Sequence, residues 1–480
     1  MKSHFITMFA VAAVSAAQAA TVDQVIVRQQ WPWSETVKVE YVLSDVTAPV
    51  NVSVTATADG TPVSADSLAA SLSGDVFGVA KSGAHTIEID PTTALGALRT
   101  TVRQFNVALS LSPAPAILTQ ELYRIFDLDD GSCESVSRAD IMNHPEKFGA
   151  YETDFAKIGK DSKGNSFNTT LDPSEVFIWT GVTNNPVYKT DKLVMRHIYA
   201  KDKVWQGSVD NGNLSETYDK YWVKLTNDYL IAVFETTQAQ WTKIYGTNFS
   251  HFASAEDSPY RPAENMYQIE VIGGRQEYYT IHGHTYQYRT VVRNELIFGF
   301  PTNSYPYDVS RNTFLAKLWD KTGYEFFLPT DAQWEYACRA GTTTDCNHGI
   351  AGNILGTSGL VAWNSYNSEN RTHEVGTKPC NAFGLYDMLG NVAEMLPASG
   401  SIASNRDGHG ESADDPIIEP RGTFYSFSCM KRGGAYLQPT GTPYWWTSSF
   451  SRFSSYGFGD PTNFIGFRVV CPVNRQWQAH

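Results

Sequence analysis

The pattern of apolar residues changes at Pro113-Ala-Pro115, and this change limits which folds each side of the boundary can adopt. Before it, short runs alternate apolar and polar residues and are separated by Gly, Pro, Asp and Ser clusters: QVIVRQ, VKVEYVL, VNVSVTAT, HTIEID and FNVALSLS. A period of two places successive side chains on opposite faces of a strand. Residues 22–113 are therefore predicted to form an all-β sandwich.

The number and spacing of these runs favour a sandwich of the immunoglobulin or fibronectin type, which acts as a spacer or adhesion module. Residues 114–192 are predicted to be a connecting segment, and residues 193–475 a second, mixed domain rich in Trp, Tyr and Gly. Two helix starts are legible there, Thr237 with Gln240 and Thr330 with Gln333. Each pair has the spacing of a capping box, which predicts an α+β domain.

The first twenty residues, MKSHFITMFAVAAVSAAQAA, have the pattern of a secretory signal peptide. A lysine precedes an apolar run, and small residues suitable for cleavage follow it. The run is shorter than the roughly 18 residues that a membrane helix needs, and no later stretch is long and apolar enough. We therefore expect an exported protein without a transmembrane segment, and the pattern leaves periplasm, cell surface and extracellular medium open.

The charge and the cysteines narrow the possible partners. The formal net charge is −13 and the basic residues are scattered, which argues against a nucleic-acid partner. The six cysteines contain no CxxC pair and no zinc-ligand spacing. An even number of cysteines in an exported chain favours structural disulfides over a metal site.

Four ordered stretches identify a family resemblance: YLIAVFETTQAQW (229–241), LPTDAQWEYACRAG (328–341), NAFGLYDMLGNVAEM (381–395), and KRGGAY (431–436) with IGFRVV (465–470). Together they resemble the formylglycine-generating enzyme, or sulfatase-modifying factor, family. The resemblance implies a loop-rich α+β domain with a C-type-lectin-like core. The glycines in these stretches suit tight turns and close backbone approach.

The resemblance also implies a structural calcium site and a disulfide. Carried over by position, Asp387 and Glu394 provide carboxylates and Gly390 and Val392 provide backbone carbonyls, the hard oxygen ligands that calcium requires. Ala393 and Met395 replace the family's usual aromatic pair, so the surface around this site differs from the family's. Family members join the helix of the EYxC motif to the strand after GFR, which makes Cys338 and Cys471 the candidate pair.

The catalytic cysteines of the family are missing. Active members use two cysteines after a GGSY-like motif to bind copper(I) and oxidise a substrate cysteine, because soft thiolates select copper(I). Here Ala435 replaces the motif serine, Gln438 takes the first cysteine position and about Pro443 the second. We therefore assign no catalytic residue and do not expect a copper site.

The same stretch is rich in aromatic residues. Rigid aromatic and Arg side chains among small polar ones are typical of recognition surfaces, and the candidate binding residues are Tyr436, Gln438, Tyr444, Trp445, Trp446, Arg452 and Tyr456. Equally, these side chains could fill the core of a loop-rich domain. The favoured hypothesis is a non-catalytic protein whose aromatic groove binds a protein, peptide or glycan. The alternatives are a formylglycine-type oxidoreductase with an altered metal site and a purely structural envelope component.

Overall fold

The computed structural model describes residues 20–29, 36–96, 102–201, 204–207, 221–272, 278–281, 284–287, 309, 312–350, 354–397, 413–418, 428–437, 447–456 and 462–473. Contacts divide the chain into one unit of residues 1–120 with 137–147 and a second of residues 121–136 with 148–480. The predicted connecting segment 114–192 contributes residues to both units. The predicted signal peptide lies outside the described residues, apart from Ala20.

The alternating N-terminal runs all lie in strands of the first unit. Its strands are β1 Thr21–Gln29, β2 Val37–Ser44, β3 Val50–Ala58, β4 Thr61–Pro62, β5 Leu72–Gly74, β6 Gly83–Ile89 and β7 Phe105–Pro113. They form two antiparallel sheets with the strand orders β1-β2-β6-β5 and β4-β3-β7. Side chains of both sheets share one apolar core that includes Val39, Val52 and Ile87, as expected when each strand buries alternate residues.

The first unit also contains helices, so the all-β prediction for residues 22–113 is too simple. Within residues 22–113 these are α1 Ala65–Ser71 and α2 Pro91–Leu95, and the rest of the unit adds α3 Ala116–Thr119 and α4 Arg138–Asn143. Asp90 caps α2 by accepting hydrogen bonds from the backbone N–H groups of Thr92 and Thr93 at 3.1 and 3.3 Å, and Pro91 occupies the first helical position. Asp at the N-cap and Pro at the first helical position both favour the start of a helix. The alternating strand pattern on either side of them led to a prediction of strands alone.

The described strands of the second unit form four sheets. Its strands are β8 Glu121–Asp127, β9 Cys133–Ser137, β10 Lys192–Ile198, β11 Val204–Gln206, β12 Tyr221–Lys224, β13 Tyr229–Ala232, β14 Tyr278–Ile281, β15 His284–Gln287, β16 Ala393–Met395, β17 Ile417–Ile418, β18 Ser428–Arg432, β19 Arg452–Tyr456, β20 Ile465–Gly466 and β21 Val470–Pro472. The strand orders are β21-β13-β10-β8-β9, β11-β12-β17, β14-β15 and β19-β18-β16-β20. Most of these strands are short, so turns and loops hold much of the chain.

The helices of this unit are α5 Pro145–Phe148, α6 Val187–Thr190, α7 Gln238–Tyr245, α8 Gln268–Val271, α9 Phe314–Thr322, α10 Asp331–Arg339 and α11 Ile354–Val361, and α5 begins in the last residues of the first unit. Both predicted capping boxes are present, at Thr237 for α7 and at Thr330 for α10. Every residue of α10 is buried. Helix α10 is therefore a central element of the domain rather than a surface helix. Within the described chain, no helix has the length and apolarity to cross a bilayer.

Candidate functional site

Helix α10 presents two acidic side chains one turn apart in the interior of the second unit. Asp331 is the first residue of the helix and Glu335 lies four residues later, so both project from the same face. The exposed fraction of their side chains is 1% and 0%. Buried carboxylates need cationic partners, because desolvation strongly penalises an isolated charge.

Three arginines supply these partners and complete what we call the α10 ion-pair network: Asp331, Glu335, Arg339, Arg432 and Arg452. Arg452 places Nε 2.8 Å from Asp331 Oδ2 and Nη2 2.8 Å from Glu335 Oε2. Arg432 Nε lies 2.7 Å from Asp331 Oδ1, and its Nη2 also pairs with Glu335. Arg339 donates from Nε to Glu335 Oε1 at 2.9 Å. Burial alone raises the pKa of Glu335, but the three guanidinium groups outweigh it and lower that pKa to about 2.

The network fixes both ends of one segment. Arg432 ends β18 and Arg452 begins β19, and the two residues are direct cross-strand partners. The chain between them, residues 433–451, is called the 433–451 segment. It contains Gln438 and Pro443, which the sequence analysis predicts to lie at about the family's two catalytic cysteine positions. Helix α10 thus holds the two residues that flank this segment.

The first residues of the 433–451 segment are tightly held. Gly433 and Gly434 have φ of +87° and +73°, a region that other residues rarely adopt. A Cβ on Gly433 would lie 2.7 Å from the carbonyl oxygen of Met388. The N–H of Tyr436 donates to the carbonyl of Asn391 at 2.9 Å, and the Tyr436 carbonyl accepts from Ser368 Oγ at 2.8 Å. The backbone at the entry to the segment is therefore held by hydrogen bonds through both the N–H and the carbonyl of Tyr436.

The two predicted binding residues whose side chains are described are both buried. Tyr436 is only 1% exposed, and Arg452, 7% exposed, already pairs with two carboxylates. Arg452 therefore belongs to the α10 ion-pair network and has a structural role there. The backbone of Tyr456 pairs with Ser428, and nothing is described of its side chain. Gln438, Pro443, Tyr444, Trp445 and Trp446 lie outside the described residues.

The predicted calcium ligands Asp387 and Glu394 are both buried, but Glu394 does not fit a calcium ligand. Its Oε1 accepts from Arg468 Nε at 2.7 Å and its Oε2 from Trp334 Nε1 at 2.6 Å. The positive guanidinium offsets the negative charge of the carboxylate, which weakens the attraction of Glu394 for a calcium ion. Asp387 Oδ2 accepts from the Gly376 N–H at 2.7 Å, whereas Oδ1 is buried and has no hydrogen-bond partner in the described part of the chain.

The other two predicted ligands are the backbone carbonyls of Gly390 and Val392, and both residues are buried. Their N–H groups donate to the carbonyl of Gly433 and to Glu235 Oε1, and these bonds do not involve the predicted carbonyl ligands. In the part of the chain that the structure describes, no three His, Cys, Asp or Glu side chains are grouped to hold a metal ion. Calcium at residues 387–394 stays a prediction, and no function is derived through it.

Glu235 is a buried acid that the sequence analysis did not single out. Its Oε1 accepts from the Val392 N–H at 3.0 Å and its Oε2 from Asn391 Nδ2 at 2.8 Å. Burial, together with the negative charges of Asp387 and Glu394, raises the pKa of Glu235 well above its ordinary value. The sequence signal is the position of Glu235 between the apolar run YLIAVF and the capping box of α7. An acid at the end of a buried strand needs an internal partner.

The predicted disulfide between Cys338 and Cys471 is wrong, because both are free thiols. Cys338 lies on α10, while the Sγ of Cys471 on β21 contacts the carbonyl of the adjacent Pro472 at 3.4 Å. Burial raises the pKa of both thiols and raises that of Cys380 to about 12. Cys133 is exposed and contacts Tyr324 Oη at 3.3 Å.

The fold and the site together define a loop-rich α+β protein in which a buried ion-pair network holds the two residues that flank the 433–451 segment. Residues 204–473 match the family model described as sulfatase-modifying factor enzyme 1-like domain. Since the match covers more than half of the 480 residues, the chain belongs to this family, as its sequence motifs predicted.

Curated relatives match over shorter stretches. A chaperone protein, LppX, of Paenibacillus barcinonensis is 30% identical over 192 residues, which is 35% of this chain and 61% of the relative. The formylglycine-generating enzyme of Mycobacterium tuberculosis is 40% identical over 75 residues, 14% of this chain and 25% of that enzyme. The chain therefore spans less than two-thirds of these relatives.

Two solved structures are also similar. Treponema denticola variable protein 1 is 23% identical with a TM-score of 0.40, and the match covers 58% of this chain and 95% of that one. PvdO from Pseudomonas aeruginosa is 20% identical with a TM-score of 0.37, and the coverage is the same.

Proposed function

We propose that this protein is an exported, non-catalytic member of the sulfatase-modifying factor family that binds a protein, peptide or glycan through the aromatic 433–451 segment. The observation that carries the proposal is the replacement of both catalytic cysteine positions, by Gln438 and about Pro443. Neither side chain can form the thiolate that a copper(I) site requires.

Three of the other cysteines are unsuited to replace the missing pair. Among the described thiols, Cys338, Cys380 and Cys471 are at most 3% exposed. Their raised pKa values keep them protonated at neutral pH, so they are poor copper(I) ligands. No cysteine lies between Cys429 and Cys471 in the sequence. Oxidation of a substrate cysteine by the family mechanism therefore lacks its metal site.

Binding is supported by the framing of the segment. A binding loop gains affinity when its ends are fixed before the ligand arrives, because less conformational entropy is lost on association. Arg432 and Arg452 provide such ends, and the segment between them contains Tyr444, Trp445 and Trp446. The chaperone name of the Paenibacillus relative agrees with an action by binding rather than by oxidation.

The finer assignments belong to the same proposal. We assign the second unit a C-type-lectin-like core and the first an immunoglobulin or fibronectin-like sandwich that acts as a spacer. Export is supported by the signal-peptide pattern of residues 1–20. Fold-level likeness does not itself define an activity.

The decisive experiment is a turnover assay with the mature protein, copper(I), oxygen and a sulfatase-type cysteine peptide, read by mass spectrometry. An active formylglycine-generating enzyme serves as the positive control. We expect an unchanged peptide and no stoichiometric copper(I) binding in a competition titration. Formation of formylglycine would reject the proposal in favour of an oxidoreductase with an altered metal site.

A second experiment tests binding directly. Tryptophan fluorescence of the protein is titrated with a defined panel of oligosaccharides and peptides, and the double variant W445A/W446A is compared with the wild type. The matched control is Y366A, because Tyr366 is an aromatic residue outside the segment with 70% exposure. We expect the double variant alone to lose binding. Equal binding by all three proteins, or no binding of any panel member by the wild type, would contradict the proposal.

A further inference from the structure

Glu264 is a buried acid for which neither the family resemblance nor the predicted site gives a role. It lies between the 3-10 turn Ser258–Tyr260 and helix α8, and its exposed fraction is 0%. Its Oε1 accepts a hydrogen bond from the N–H of Phe252 at 3.0 Å. Its Oε2 is buried and has no hydrogen-bond partner among the described residues. An ionised carboxylate with one bare oxygen is costly in such a place.

Contacts connect this carboxyl to the start of the 433–451 segment. The ring of Phe252, whose N–H bonds Glu264, meets the ring of Tyr436 edge-on with 5.6 Å between centroids. Burial raises the pKa of the Tyr436 phenol, and the negative charge of Glu264 raises it further. The charge state of Glu264 therefore affects the pKa of Tyr436, which lies two residues before Gln438.

Among the described residues, the charged and titratable groups around Glu264 provide no cationic partner. The backbone of His251 gives it a second hydrogen-bond interaction. Arg261 lies 5.8 Å from the centroid of the Phe252 ring, but its Nε is paired with Asp257 at 2.7 Å. Burial raises the pKa of Glu264 to about 7, against the smaller opposing effect of the backbone donors of Phe252 and His251.

We propose that Glu264 is a positioning residue whose neutral carboxyl holds Phe252 and Tyr436 in place at the entry of the 433–451 segment. When Glu264 ionises, its uncompensated charge displaces the Tyr436 ring and changes the shape of that entry. The inference rests on the proposed binding function of the segment. The neutral form is the binding form, so ligand affinity falls as the pH rises through neutrality.

The first test follows the two side chains without any ligand. Carboxyl-labelled glutamate, assigned with E264Q, reports the titration of Glu264 by carbon-13 NMR, and ring-labelled tyrosine, assigned with Y436F, reports on Tyr436. We expect both signals to change with one midpoint near pH 7, and the Tyr436 change to be absent in E264Q. Titration of Glu264 below pH 5 overturns the inference. A Tyr436 signal that changes with pH in E264Q as it does in the wild type also overturns it.

The second test uses folding stability. Because the pKa of Glu264 is higher in the folded state than in the unfolded state, its contribution is complete below about pH 4.5 and is lost as the pH rises through 7. Relative to E264Q, the unfolding equilibrium constant of the wild type should increase on the order of 100-fold between pH 5 and pH 8. A purely structural hydrogen-bond role predicts instead a constant ratio, which would reject the inference.

These measurements separate the two proposals. If no panel ligand binds but the Glu264 and Tyr436 signals titrate together, the positioning role stands and the binding function fails. If ligand binding is found with pH-independent affinity, the positioning role fails and the binding function stands.

Discussion

Arg432 and Arg452 lie directly opposite each other on adjacent antiparallel strands, although both are positively charged and almost fully buried. Like charges in directly opposed positions destabilise a sheet. Here the two guanidinium groups share Asp331 and Glu335, which reach them from α10. The pairing of β18 with β19 therefore depends on a helix about one hundred residues earlier in the chain.

Removal of one arginine should be strongly destabilising. R432M leaves Asp331 and Glu335 buried with one guanidinium fewer, and we expect the free energy of unfolding to fall by about 3–5 kcal/mol. The control is R371M, since Arg371 forms an exposed pair with Glu369 at 3.0 Å, and such pairs contribute about 0–1 kcal/mol. Chemical denaturation of both variants measures the difference, and equal losses would contradict a structural role for the network.

The same network predicts sensitivity to acid. The pKa of Glu335 is about 2 in the folded protein, below its ordinary value of 4.5, so its stabilisation is present above pH 4.5 and is lost as the pH falls towards 2. The contribution at stake is about 3 kcal/mol. E335Q should be less stable at pH 7 and should show a shallower loss between pH 4.5 and 2. Thermal unfolding across that range tests this, and parallel curves for the two proteins would disprove it.

Substitutions at two glycines allow the cost of backbone strain to be measured separately from the cost of a steric clash. Gly323 and Gly433 both have positive φ, but a Cβ on Gly323 meets no atom within 4 Å, whereas one on Gly433 lies 2.7 Å from Met388 O. G323A should cost about 1 kcal/mol from the left-handed conformation alone. G433A should cost about 1–3 kcal/mol more, because the chain has to shift. Equal melting temperatures for the two variants would show that the entry to the segment is not tightly packed.

The buried thiols should resist alkylation. Cys338, Cys380 and Cys471 are nearly inaccessible and have raised pKa values, and the thiolate is the form that reacts. With iodoacetamide at pH 8, mass spectrometry should find these three unmodified in folded protein and fully modified after unfolding in guanidinium. Exposed Cys133 supplies the internal control. Detection of a disulfide-linked peptide that contains Cys338 and Cys471 would contradict the free thiols of the structure and support the disulfide predicted from the sequence.

Local sequence signals were sufficient for much of the fold. The capping boxes at Thr237 and Thr330 depend on residues three positions apart, and both helices begin there. The alternating N-terminal runs lie in β1, β2, β3, β6 and β7. Such signals are reliable because the residues that make the contact are close in the chain.

The site was less accessible to sequence reasoning. Arg452 was predicted as a binding residue, but its partner Glu335 is 117 positions away and no local pattern links them. No local sequence pattern distinguishes Glu264. Its link to Phe252 and Tyr436 exists only in the folded structure. Contacts between distant residues depend on tertiary packing, which periodicity does not encode.

The anchoring of the 433–451 segment also bears on how its sequence can change. Its anchors, Arg432 and Arg452, lie outside it, and their partners lie on a helix that the segment does not include. Doubling the length of a flexible loop costs only about 0.6 kcal/mol in closure entropy. Insertions, deletions and replacements among residues 438–446, between the packed ends of the segment, are therefore compatible with an unchanged framework. These nine positions are the part of the segment where the sequence can vary in evolution or in engineered binders.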